Sequence, residues 1–220
     1  IKHVKLIPDV DGECVHLEAK LCGDGELSAE VYFGEKPVSG DTCVSSDGIA
    51  KMTLPVKDPV LWDIGQGNLY DVRLKFGDDC AAAYFGMRKI ECRQRQLYLN
   101  GRRLFMRLVL DQGYYPDGIY TARDTDEIRR DIEMSMACGF NGARMHMKIF
   151  EPYFMYLADR AGYILWGEYP NWGLDISRPE ANDAMLPEWR EQLRRDVNHP
   201  SIIGWCPFNE AFPGKNSEII

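Results

Sequence analysis

The sequence predicts a multidomain protein, a β-sandwich followed by a parallel α/β domain, and two observations carry that prediction. Residues 1–88 hold short, partly alternating apolar segments cut apart by Gly, Pro, Asp and Ser, with no helical period. From residue 104 the rhythm changes to strand, helix, strand, helix, strand, helix, strand, the order of parallel βα units.

In the first part, HVKLIPDV, ECVHLEAKLC, LSAEVYF, GIAKMTLPV, NLYDVRLKF and CAAAYFGM read as strands, giving six or seven in all. Asp11-Gly12, Gly23-Asp24-Gly25, Ser39-Gly40-Asp41, Asp47-Gly48 and Gly77-Asp78-Asp79 read as the turns between them. Residues 89–100 predict a hairpin or bridge, with Asn100-Gly101 as a turn. The domain boundary is expected at 88/89, with the second domain running over 89–220.

In the second part, 104–110 is the first strand. A helix is expected over 124–139: Asp124 caps it with Glu127 three residues on, Ile128, Ile132 and Met136 share a face, and Gly139 ends it. Strand 140–145, helix 151–162 with Pro152 in its first turn, and strand 163–169 follow. A helix opening on Pro187 and a strand over 201–208 complete the series. Four strands are present, whereas a closed barrel of this kind needs eight.

The formal charge of −8 argues against nucleic acid and anionic membrane surfaces as partners. No apolar run is long enough to span a bilayer. Seven cysteines without a CxxC spacing point to free or buried thiols in a reducing compartment, with the cytoplasm favoured and export left open. The same spacing argues against a structural zinc site, and no cofactor or metal is expected. GxGxxG, GxxxxGK[ST], GxSxG and HExxH are missing, which sets aside nucleotide binding, serine hydrolysis and zincin chemistry.

Polar residues cluster just beyond the strand ends, where side chains of parallel strands converge: Asp111, Arg144, His146, Glu168, Asn209 and Glu210. Glu210 is the leading catalytic residue, because burial beside Trp205 would raise its pKa and suit it to general-acid work. It precedes AFPG, read as a loop. Asn209 is placed to hydrogen-bond a sugar hydroxyl. Glu168 either faces Glu210 across a scissile bond, as in glycoside hydrolysis, or orients substrate, or pairs with Arg144. Tyr114, Tyr115, Tyr120, Trp166, Tyr169 and Trp172 either stack on sugar rings or pack in the core.

Four segments in order carry a resemblance: PVLWDIGQGNLYDVRLKF, FGMRKIECRQRQLYLNGRRLFMR, GFNGARMHMKIFEPYFMYLADRAGYILWGE and RRDVNHPSIIGWCPFNE. Together they resemble glycoside hydrolase family 2, which holds β-galactosidases, β-glucuronidases and β-mannosidases. The resemblance implies an immunoglobulin-like sandwich, then a (β/α)8 TIM barrel of which this chain carries the first half. It implies a retaining mechanism with Glu210 as acid/base and Asn209 on the sugar 2-hydroxyl. The nucleophilic glutamate is expected beyond residue 220, so the chain alone is expected to be inactive. RLVLDQGYYPDG stands where several members carry Gly-Val-Asn-x-His, so the contacts of the first loop, around Asp111 and Gln112, are expected to differ. The implied partner is a carbohydrate substrate, with Asn209, Asp111, Arg144, His146, Glu168 and Trp205 in its site. Two alternatives are a non-catalytic carbohydrate-binding or scaffolding module, and a half-barrel that forms a homo-oligomer with Glu168 as its second carboxylate.

Overall fold

A computed structural model describes residues 1–176 and 178–210. The chain divides into two compact units, one of Ile1–Phe105 with Asn198–Pro200, the other of Met106–Val197 with the chain from Ser201 onward.

The first unit is an immunoglobulin-like sandwich of two antiparallel sheets. One joins β1 (His3–Asp9), β2 (Cys14–Lys20) and β5 (Ile49–Pro55); the other runs β4 (Lys36–Val44), β3 (Glu26–Phe33), β6 (Tyr70–Phe76), β7 (Asp79–Phe85). Period-2 alternation decides the core. Val15, Leu17 and Ala19 of β2 meet Leu27, Ala29 and Val31 of β3, all essentially excluded from water. Ser39-Gly40-Asp41, expected as a turn, lies inside β4. β4 is an edge strand, where Pro37 and Gly40 disrupt no ladder on their outer side.

A third sheet, β8 (Ile90–Arg93), β9 (Gln96–Leu99) and β10 (Arg102–Leu104), belongs to this compact unit, which runs through Phe105. The ties are specific: Asn100 Nδ2 donates to the Trp62 carbonyl at 2.9 Å, and Arg102 pairs with Asp63. Asn198 also belongs here, accepting from Leu6 N and donating to the Val4 carbonyl, each at 2.8 Å.

The second unit is a partial TIM barrel. Its parallel sheet runs β11 (Leu108–Asp111), β12 (Gly142–Met145), β13 (Ile164–Glu168), β14 (Ile202–Cys206), in chain order. Helices α1 (Thr125–Ala137), α2 (Pro152–Ala161) and α3 (Ala181–Asp196) connect them. In α1 the Asp124 side chain accepts from Glu127 N, and Ile128 and Ile132 are buried. α2 carries Pro152 in its first turn and ends on Gly162 at φ 67°, a left-handed cap that suits glycine. α3 begins earlier than expected: Pro187 lies inside it. Buried Ala181 and Met185 carry the apolar face upstream, and the missing Pro187 N–H leaves only the Asp183 carbonyl without its helical donor.

Ala143, Met145, Leu165 and Ile202 pack with Ile128, Ile132, Phe154, Met155 and Ala158 in the core between sheet and helices. Alternation therefore turns Arg144, Trp166 and Glu168 to the other face of the sheet.

Candidate active site

The face of the sheet away from the helices gathers three of the expected residues into one network. Arg144 donates from Nε to Glu168 Oε2 at 2.7 Å and from Nη2 to Asn209 Oδ1 at 2.6 Å. Glu168 is fully buried, and its second oxygen accepts from Met147 N at 3.1 Å. Both carboxylate oxygens are thus engaged, and Glu168 pairs with Arg144, one of its three expected roles. The hydrogen bond to Glu168, aided by neighbouring anions including Glu210, holds the guanidinium above its usual range.

Asn209 is 5% exposed and fixed from two sides. Its backbone N donates to Asn171 Oδ1 at 2.8 Å, and Asn171 Nδ2 donates to its carbonyl at 3.2 Å. Guanidinium nitrogen only donates, so the atom facing Arg144 must be the amide oxygen. That turns the amide NH2 away. Nδ2 is buried and has no hydrogen-bond partner among the described residues. A buried donor without an acceptor costs about 1–3 kcal/mol.

Glu210 follows directly, exposed and with φ at 52°. The expected burial beside Trp205 is not found. Trp205 lies on the helix-facing side, its ring 5.7 Å from that of Trp189 on α3 and packed against Gly167. The cause is a register shift between Leu165 and Trp166: Leu165 pairs with Ile202 but Trp166 with Gly204, so Ile203 is extra. Ile202 and Trp205, three apart, then share the helix face. Asp111 also departs from its expected sugar-binding place. Val109, two residues earlier, packs with the helix-side core, and alternation sends Asp111 the same way. Asp111 Oδ1 accepts from Gly113 N at 2.7 Å, and burial pushes its pKa up. The AFPG segment lies outside the described residues.

His146 is buried beside the network. Gln112 Nε2 lies 2.9 Å from His146 Nδ1, and the Trp172 ring meets the imidazole edge-on at 5.9 Å. Lys148 is buried too, donating to the Gly113 carbonyl and the Tyr120 carbonyl, each at 2.9 Å, with its Nζ 4.5 Å from the Tyr120 ring centre. These bonds tie the loop after β11 to the loop after β12. The aromatics divide: Tyr114, Tyr120 and Trp172 are exposed, while Tyr115 and Tyr169 are core residues. Asn171 was not anticipated. It sits in a loop without periodicity, and only the fold shows that it clamps Asn209.

The family model described as "Glycosyl hydrolases family 2" matches residues 1–88, and "Glycosyl hydrolases family 2, TIM barrel domain" matches residues 90–220. A β-galactosidase of Leuconostoc mesenteroides subsp. mesenteroides is 28% identical, over 98% of this chain and 23% of its own length. A β-galactosidase of Vibrio vulnificus is 32% identical, over 74% of this chain and 17% of its own. The solved β-glucuronidase from Ruminococcus gnavus in complex with C6-substituted uronic isofagomine superposes with a TM-score of 0.84 at 20% identity, over 96% of this chain and 37% of that one. At that identity the likeness establishes the fold. This chain therefore spans about a quarter or less of the curated relatives it matches.

Proposed function

This chain belongs to glycosyl hydrolases family 2, and from that membership we propose that it supplies the acid/base half of a retaining β-glycosidase, with Glu210 as proton donor. The carrying observation is Asn209, one residue before Glu210: Arg144 and Asn171 hold its Oδ1 and backbone, and its buried Nδ2 has no partner among the described residues. An amide so placed donates to a sugar hydroxyl and sets the glycosidic oxygen against the adjacent carboxyl. Glu210 protonates the departing oxygen, and in the second step takes a proton from water.

Retention requires a second carboxylate about 5–5.5 Å from the first. Glu168 does not serve, because both of its oxygens are already bonded to Arg144 and Met147 N. The nucleophile comes from another strand of the intact barrel, so the 220-residue chain by itself does not turn over β-glycosides. The kinship with β-galactosidases at 28–32% identity supports a β-galactoside as the substrate class.

The test uses the intact protein that contains this chain, assayed on nitrophenyl β-galactoside, β-glucuronide and β-mannoside. Glu210→Gln is expected to slow hydrolysis of a poor leaving group by about 10²–10⁴, the usual contribution of a general acid. Dinitrophenyl glycosides, which need no proton to leave, should keep their glycosylation rate, and added azide should yield the β-glycosyl azide. Full turnover of the nitrophenyl substrates by Glu210→Gln would exclude the assignment.

A further inference from the structure

The sandwich carries a side-chain cluster that glycoside cleavage does not use. In the antiparallel β1–β2 pair Asp9 stands opposite Cys14, and Ile7 opposite His16. Val15 and Leu17 point into the core, so Cys14 and His16 share the outer face of the sheet with Asp9. The carboxylate oxygen of Asp9, the sulfur of Cys14 and a ring nitrogen of His16 all lie within 4.8 Å of one another. Cys14 Sγ and His16 Nε2 are 3.9 Å apart.

Ligand atoms around a tetrahedral Zn²⁺ sit about 3.4–3.6 Å apart, given Zn–S near 2.3 Å and Zn–N or Zn–O near 2.1 Å. The separations, 3.9 Å for Cys14 and His16 and at most 4.8 Å for the other pairs, must shorten to that geometry on binding. Two of its members are held in place. Asp9 Oδ1 accepts from Gly12 N at 2.9 Å, and a Cβ at Gly12 would stand 2.6 Å from Asp9 Oδ2, so glycine is what lets the carboxylate fold over this turn. His16 Nδ1 lies 3.0 Å from Thr53 Oγ1, its direct partner on β5. With the ring proton on Nδ1 donated to Thr53, the Nε2 lone pair is free on the side of Cys14. A hydrogen-bonded partner on the far nitrogen is how metal-binding histidines are usually oriented.

We propose that Asp9, Cys14 and His16 bind Zn²⁺ on the outer face of the sandwich, with Thr53 as a positioning residue and water in the fourth place. The mixed S, N, O set suits a borderline-soft divalent ion better than Ca²⁺ or Mg²⁺. Zinc takes a cysteine as its thiolate. Binding therefore forms the Zn–S bond as the thiol proton passes to buffer, and affinity rises with pH. The ion joins the end of β1 to the start of β2. No CxxC announces the set, since its members meet across strands.

The test titrates Co²⁺ into the reduced intact protein that contains this chain and follows the thiolate-to-cobalt charge-transfer band. One equivalent should develop the band, and one equivalent of Zn²⁺ should abolish it. Cys14→Ser should remove the band, and Thr53→Val should weaken binding about 10-fold or more. His16 is exposed, so His16→Gln keeps the fold, as far-UV circular dichroism should verify, while losing at least about 10-fold in affinity. The proposal is overturned if no band appears at one equivalent. It is equally overturned if the band survives in Cys14→Ser, which would assign it to another cysteine, or if His16→Gln binds like the parent.

Discussion

Replacing Arg144 by Met keeps most of the side chain's bulk but removes its charge. Glu168, fully buried, then keeps a single donor, Met147 N. Removing one partner of a buried ion pair costs about 3–5 kcal/mol, chiefly because the remaining charge has lost its water and gained nothing. Arg144 is 35% exposed along its side chain, so water enters once it is gone, and the low end, about 3 kcal/mol, applies. At about 2–4 °C per kcal/mol for a chain of this length, Tm should fall by about 6–12 °C in scanning calorimetry. The double variant Arg144→Met, Glu168→Leu removes the stranded charge and should recover most of that loss. Arg144→Lys should resemble Arg144→Met more than the parent, because one ammonium cannot replace a fork that reaches Glu168 and Asn209 separately. A fall of less than 2 °C for Arg144→Met, on the scale just given, or a double variant no more stable than the single, would refute the account of this network.

Two further outcomes test the supporting frame. Gly167→Ala would set a Cβ 2.6 Å from Trp205 Cε3 and 2.7 Å from Cζ3, and the ring is backed by Trp189; overpacking should cost about 1–3 kcal/mol, read as a lower Tm, and an unchanged Tm would contradict the packing of β13 on β14. Asp124 caps α1, and its carboxyl is held below the usual range first by the Glu127 N–H and then by Arg123. A lowered folded pKa stabilises above the unfolded pKa, near 4, and that stabilisation disappears as pH falls through the folded pKa. Urea midpoints of Asp124→Ala and the parent should therefore differ at pH 7 and converge in acid; a constant gap would deny the cap its charge.

The βα rhythm was enough to place Arg144, Glu168 and Asn209 together, because it fixes which residues end parallel strands. It could not fix which side of the sheet each one takes. Asp111 and Trp205 are strand-end residues of the same kind, yet both belong to the helix side. For Trp205 the deciding feature is the extra residue Ile203, and a bulge leaves no mark in a run of four apolar residues. Pro187 misled in another way: proline favours a first turn, but the buried Ala181 and Met185 outweigh one missing N–H. Asn171 and the Asp9–Cys14–His16 group share the opposite character. Each is a contact between residues distant along the chain or across strands, without local propensity to signal it.

The conformation of Glu210 follows from the network beneath it. A left-handed φ costs a side chain such as glutamate about 1–2 kcal/mol. It is held because Asn209, its chain neighbour, is anchored at backbone N, at backbone O and at Oδ1 by Asn171 and Arg144. Arg144 can provide that anchor only because it is long. It starts in the layer of Leu110 and Trp166, its partners in register, and reaches up to Glu168 at the next inward-facing position of β13. Glu168 in turn is held at its second carboxylate oxygen by Met147 N and through its carbonyl by Gln192 of α3. The left-handed residue Glu210 thus follows an asparagine fixed by the Arg144–Glu168 pair of the two preceding strands, and backbone strain of this kind persists where the surrounding structure over-determines it.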